Sequence, residues 1–197
     1  MKFVRSFANA VSILPGGLKF ESATTVLPDS ADIIDQKSEL ANIFEELEAL
    51  AEHFELEDDI SISFSREGLV MRLAEQTLFD LGVATLSPEA MPLIEKIGAI
   101  ISRTEYFIRI EGHTDNLPIH TDRFPSNWEL STARAVNVLR YFLEIHKISP
   151  LRLSAVGFGE YQPLVSNDYP KQRAKNRRVE IIFINKDPEN TPLEVKG

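Results

Sequence analysis

Cysteine is absent from the 197 residues, and that one absence removes disulfides, thiolate nucleophiles, thiolate zinc sites and iron–sulfur ligation together. Long apolar runs are missing too. The longest, Ile97–Ile101, is far short of the roughly 20 residues that cross a hydrocarbon core, so no membrane span is expected. Asn9 and Ser12 interrupt the apolar residues near the start, which does not suit a secretory signal. Glycine and proline number only 9 and 11, which excludes collagen-like and low-complexity chains. Basic residues are outnumbered, 21 Lys and Arg against 30 Asp and Glu for a net charge of −9; neutralising phosphates needs a dominant basic surface, so nucleic acid is not an expected partner. Neither a Gly-x-Ser-x-Gly elbow nor a P-loop occurs, so no recognisable device activates a nucleophile and no enzyme is expected. What remains is a chain large enough to bury one hydrophobic core without a metal or disulfide staple.

Residues 1–32 carry Pro15-Gly16-Gly17 and Pro28 without sustained periodicity and read as an arm or linker. Ile33, Leu40, Leu47 and Phe54 then recur every seven residues, with Ile43 and Leu50 three positions after the second and third. This predicts an amphipathic helix over 33–58, either packed on its own domain or forming a dimer seam. A domain over 59–186 follows, then a tail over 187–197. Its first elements are a hairpin, with Ile60–Phe64 alternating in period two and Leu69–Leu73 returning. Ser87-Pro88-Glu89 opens a helix with Met91, Ile94, Ile97 and Ile101 as its apolar face. A strand is expected over Tyr106–Ile110, then a polar loop over Glu111–Asn127. A helix from Trp128 to about Lys147 has Ser126 and Glu129 at capping-box spacing and a buried stripe of Ala135, Val138, Phe142 and Ile145. Strands over Leu151–Val156 and Arg178–Ile184 complete the pattern, separated by a second polar loop with one helical turn. Alternating strands and helices predict an α/β (α+β) two-layer sandwich, a mixed sheet covered by helices.

The polar loops are where a layered domain places a site. His113, Asp115, His120 and Asp122 form two His-Thr-Asp triplets, residue types that suit zinc or manganese, but no further cluster of that kind follows, and no metal or cofactor is expected. Asp115 and Arg134 offer a different chemistry. An acid and a fork-shaped guanidinium in one cleft can clamp a zwitterion, the acid taking an ammonium and the arginine a carboxylate through paired hydrogen bonds. Alternatively the two pair with each other or decorate the surface. Trp128 is read as core or rim rather than as a sugar-stacking platform.

Gly112-His113-Thr114-Asp115, Asn127, Leu130-Ser131-x-x-Arg134-Ala135, Gly157-x-Gly159-Glu160, Asn167 and Arg173-x-x-Asn176-Arg177-Arg178-Val179-Glu180 occur in this order. Together they resemble the OmpA-like peptidoglycan-binding domain. The interval Asn116–Ser126 between Asp115 and Arg134, Gly68-Leu69-Val70, Leu78-Phe79-Asp80 and Leu86-Ser87-Pro88-Glu89-Ala90 resemble the flagellar stator MotB family. The resemblance implies an OmpA-like fold and a non-enzymatic anchor that binds the peptidoglycan peptide stem, typically at meso-diaminopimelate. In that reading Asp115 takes the ammonium, Arg134 takes the carboxylate, and Thr114, Asn127, Asn176 and Arg177 shape the pocket. It further implies a homodimer in the periplasm and a stator A subunit as partner, reached through an inner-membrane helix that would precede this sequence. Two other readings compete: a non-flagellar, outer-membrane-associated peptidoglycan anchor, and a metal-dependent wall hydrolase built on the two His-Thr-Asp triplets.

Overall fold

A computed structural model of the chain describes residues 30–184, with side chains from residue 39 onward. The arm expected over 1–32 and the tail over 187–197 lie outside the described residues, apart from the first turn of the opening helix. Five helices and five strands follow in the order α1 Ser30–His53, β1 Ile60–Phe64, β2 Gly68–Ala74, α2 Glu75–Leu78, α3 Met91–Ser102, β3 Phe107–His113, α4 Asn127–Glu144, β4 Leu153–Gly159, α5 Pro170–Asn176 and β5 Arg178–Ile184. They build one mixed sheet of order β1-β2-β5-β3-β4. Only β3 and β4 run parallel, as a crossover through α4 requires; the other pairings are antiparallel.

Strand alternation divides the sheet into two unlike faces. Leu69, Phe183 and Ile108 align across β2, β5 and β3, as do Met71, Ile181 and Ile110, and all six are buried in the main core. On the opposite face Val70, Ile182 and Arg109 form the intervening row, and the next row there is charged, with Arg72, Glu180 and Glu111 in register. The apolar face is covered by α1, α3 and α4. Leu40, Ile43, Leu47 and Leu50 of α1 share one cluster with Leu93, Ile94 and Ile97 of α3 and Val138 and Phe142 of α4. From Leu40 onward the heptad stripe of α1 thus packs on its own domain, each fully buried Leu or Ile contributing about 1.5–3 kcal/mol.

Two glycines bring α4 close to the strands. A Cβ on Gly112 would fall 2.1 Å from the Ser131 carbonyl oxygen, and one on Gly157 would fall 2.5 Å from the Thr132 amide nitrogen. Gly112 and Gly157 face each other across the β3–β4 pair, so the first turns of α4 rest on a notch in the sheet.

The helix expected over 33–58 runs instead over Ser30–His53, and the expected elements shift in four further places, each for a local reason. Met91 is exposed because Ser87 caps a tighter 3-10 turn over Pro88–Ala90; with 3.0 rather than 3.6 residues per turn the apolar face is displaced to Ala90, Leu93, Ile94 and Ile97. Ile145 is exposed as well: α4 ends at Glu144, Lys147 turns the chain at φ 54°, and Ile148 enters the core instead. A 3-10 turn over Pro150–Arg152 delays β4 to Leu153 and leaves Leu151 in solvent. Finally, β3 continues through Glu111 to His113, residues whose polarity suggested a loop but which stand on or beside the charged face.

Candidate functional site

The predicted site residues gather at one end of the sheet, where β2, β3 and β5 meet α4. The β3 strand delivers Thr114 and Asp115, whose position is secured by Thr114 N–H donating to the Gly159 carbonyl at 2.9 Å. Ser126 caps α4 by accepting from the Trp128 amide at 3.2 Å and donating to Glu129 Oε2 at 2.5 Å. This link differs from a capping box, because the Ser126 hydroxyl accepts from the second helical amide instead of the third. The cap places Asn127 at the first helical position. Its Nδ2 donates toward the carbonyls of Asp115 at 3.3 Å and Leu117 at 3.1 Å and toward Glu160 Oε2 at 2.6 Å, holding the loop after β3 against the loop after β4.

Asp115 and Arg134 do not touch. Asp115 Oδ1 accepts from the Leu117 amide at 3.0 Å, and its Oδ2 accepts from Arg177 Nη1 at 2.7 Å. Arg134, two turns into α4, donates from Nε to the Val83 carbonyl at 2.9 Å and from Nη2 to Glu75 Oε1 at 2.5 Å, and its guanidinium lies 5.3 Å from the centre of the Phe79 ring. Glu75 and Arg177 complete the circuit, with Arg177 Nε 3.1 Å from Glu75 Oε2. That last contact is ionic: Oε2 accepts no aligned hydrogen bond. The result is an alternating chain, Asp115–Arg177–Glu75–Arg134. The side chains of Asp115, Glu75 and Arg134 are only 6%, 7% and 2% exposed, whereas that of Arg177 is 30% exposed. Burial pulls the Arg134 guanidinium below its ordinary value, Glu75 opposes this, and Arg177 adds to it.

Asn176 has a different position in the site from Arg177. Its Oδ1 accepts from the Leu164 and Val165 amides at 2.9 and 3.1 Å, and its Nδ2 donates to the Val165 carbonyl at 2.9 Å and to Asn167 Oδ1 at 2.8 Å. It pins the loop beside the site. Glu75 was not among the expected residues; as one of many glutamates in the chain it has no motif of its own, and only the start of α2, tied by its amide to the Arg177 carbonyl at 2.9 Å, brings it to Arg134. The interval Asn116–Ser126 is packed rather than loose: Phe124 is buried with Ala84 and Leu130, and Ile119 and Ala133 pack against them.

The two His-Thr-Asp triplets do not assemble. His113 is buried and stacked on Phe158 at 5.2 Å, His120 Nδ1 lies 3.1 Å from the Pro125 carbonyl, and Asp115 is paired with Arg177. Among the described residues no three His, Asp or Glu side chains are grouped to hold a metal ion. Trp128 is half-exposed and stacks on Tyr161 at 5.1 Å, a rim position.

Residues 78–177 match the model of the OmpA family. The chain belongs to that family. Motility protein B of Bacillus subtilis is 37% identical over 149 residues, which is 75% of this chain and 57% of that protein. Among solved structures, the periplasmic domain of Helicobacter pylori MotB superimposes with a TM-score of 0.61 at 28% identity, covering 66% of this chain and 84% of that one. The cell wall anchor of the T6SS from Pseudomonas aeruginosa gives a TM-score of 0.64 at 29% identity, covering 70% and 96%. The OmpA-like domain of this chain is therefore of the MotB type, and its two-layer architecture is the one the sequence pattern predicted. None of the described helices is long and apolar enough to cross a membrane.

Proposed function

We propose that this chain is the periplasmic, peptidoglycan-binding part of a flagellar stator B-type subunit, a non-enzymatic anchor that holds an ion-driven stator to the cell wall. The observation that carries this reading is the buried acid–base clamp, Asp115 and Arg134, built at the end of an OmpA-family sheet. Motility and wall-anchoring relatives support it. The ligand is the peptide stem, recognised at the zwitterionic end of meso-diaminopimelate. Asp115 takes the ammonium and Arg134 the carboxylate through paired hydrogen bonds, while Thr114, Asn127, Asn176 and Arg177 shape the pocket. A homodimer gripping two wall sites gains avidity from effective concentration even where each contact is weak. The partner for torque is the stator A subunit, reached through an inner-membrane helix outside this sequence. A non-flagellar outer-membrane-associated anchor and a metal-dependent hydrolase are less well supported, the first by the MotB-type relatives and the second by the dispersed histidines.

Co-sedimentation with purified sacculi tests the reading. Asp115→Asn removes the charge that receives the ammonium, and Arg134→Lys keeps a cation beside Glu75 while losing the fork. Both variants, verified as folded, should leave the pellet while the parent chain enters it. Equal sedimentation of all three proteins overturns the clamp.

A further inference from the structure

Asp115 and Arg134 are nearly inaccessible, so a ligand that reaches them must displace something. We infer that Glu75 and Arg177 are a built-in counter-pair that fills the clamp in the free chain, and that the dipolar head group binds by taking their place. This inference rests on the wall-binding reading above.

Glu75 offers Arg134 a carboxylate at 2.5 Å, and Arg177 offers Asp115 a cation at 2.7 Å, with the two only 3.1 Å apart. An acid and a cation in that disposition reproduce the chemistry of an amino-acid head group. They are also the only members of the circuit that line the neighbouring cleft. Arg177 is the most exposed of the four, and Glu75 Oε2 lacks an aligned hydrogen bond. Both line a cleft of about 880 Å³ that also contains Glu57, Asp58, Lys171 and Lys175. None of these last four forms an ion pair with another described residue, so a displaced carboxylate and a displaced guanidinium each find opposite charge within the same cleft. The backbone bond from the Glu75 amide to the Arg177 carbonyl joins the two segments, so movement of one side chain is felt at the other.

Exchange of this kind sets specificity. Replacing an internal ion pair by a ligand's ammonium and carboxylate leaves every buried charge met, whereas a ligand lacking either charge leaves Asp115 or Arg134 unpaired in the interior. A stem whose diaminopimelate carboxylate is amidated therefore binds poorly. It also follows that the free chain holds its binding-competent form as a minority state, which weakens apparent affinity by that fraction.

The test is calorimetric titration of the folded chain with a soluble muropeptide carrying meso-diaminopimelate, beside its amidated counterpart. Glu75→Gln removes the competing charge from Arg134 with little change of shape and should bind the unamidated muropeptide about tenfold more tightly. Glu75→Asp, which withdraws the carboxylate without removing it, should move affinity in the same direction by less, so the result does not hang on the folding of one variant. Asp115→Asn serves as the control for the clamp itself. Unchanged or weaker binding by both Glu75 variants, with Asp115→Asn inactive, overturns the counter-pair and leaves the clamp standing. Normal binding by Asp115→Asn overturns the clamp and the counter-pair with it.

Discussion

Two networks of charge stand on the same sheet and are governed by different physics. At the sheet's end, Asp115, Arg177, Glu75 and Arg134 alternate, all but Arg177 almost completely buried, each charge met by one on another element. On the open face, Arg109 binds Glu111 at 2.6 Å and also Glu67, while Glu180 accepts from Arg178 at 2.6 Å and lies 3.2 Å from Arg72. There the partners lie along one strand or across one strand pair, with Glu67 added from the β1–β2 turn, and solvent reaches Arg72, Arg109 and Glu67. In the first network, loss of one member strands a charge in the interior. In the second, the neighbours have alternatives.

The largest effect should come from breaking the first network. Arg134→Ala leaves Glu75 without its hydrogen-bonded partner and should destabilise the fold by about 3–5 kcal/mol, as removal of one partner from a buried pair does. Urea denaturation measures it, and a loss below about 1 kcal/mol would place this network in the same class as a surface pair. Next in size is Asn176→Ala. It deprives two backbone amides of their acceptor and should cost about 2–3 kcal/mol, with hydrogen exchange at Leu164 and Val165 accelerating before that of β5.

The open-face ladder gives a pH-dependent effect of fixed sign. Burial alone would raise the Glu111 carboxyl, but the His113 ring 3.5 Å away and the Arg109 guanidinium hydrogen-bonded to it at 2.6 Å outweigh burial and hold it below its ordinary 4.5. A carboxyl lowered in the folded state stabilises above its unfolded value, and that contribution is lost as pH falls from about 4.5 through the folded value. Glu111→Gln should thus be less stable than the parent at neutral pH, with the gap closing on acidification; thermal melts across pH 7 to about 3 read it directly. A gap independent of pH would mean that Glu111 acts by packing alone. The smallest effect belongs to the exposed Arg103–Glu46 pair, 2.6 Å apart between α3 and α1. Arg103→Ala should change stability by at most about 0.5 kcal/mol, measured by the same denaturation.

Much of the fold was legible because its signals are periodic. β1 follows its alternation of apolar residues, β2 and β5 follow their apolar runs, and α1 and α4 follow their apolar stripes. The misread positions are those where backbone geometry or a tertiary neighbour overrides periodicity. Met91 was displaced by a 3-10 turn, Ile145 by the chain reversal at Lys147, and Glu111 and His113 by a strand whose outer face is charged. In the site, Asp115, Asn127, Arg134 and Arg177 were marked by their order in a motif, but their pairing was not. Neither a direct Asp115–Arg134 bridge nor two surface charges describes what forms, because Glu75, some 40 positions before Asp115 in the chain, intervenes.

The sequence by itself determined which segments become strands and helices, the apolar rows that make one face of the sheet a core, and the membership of the chain in a family with a marked set of polar residues. Those properties follow from local periodicity and residue type, which require no knowledge of distant neighbours. Only the tertiary structure decided which charge meets which. Close packing of α4 on Gly112 and Gly157 and the backbone bond between Glu75 and Arg177 juxtapose groups far apart in the chain, and Coulomb attraction depends on those distances and on the exclusion of water around them.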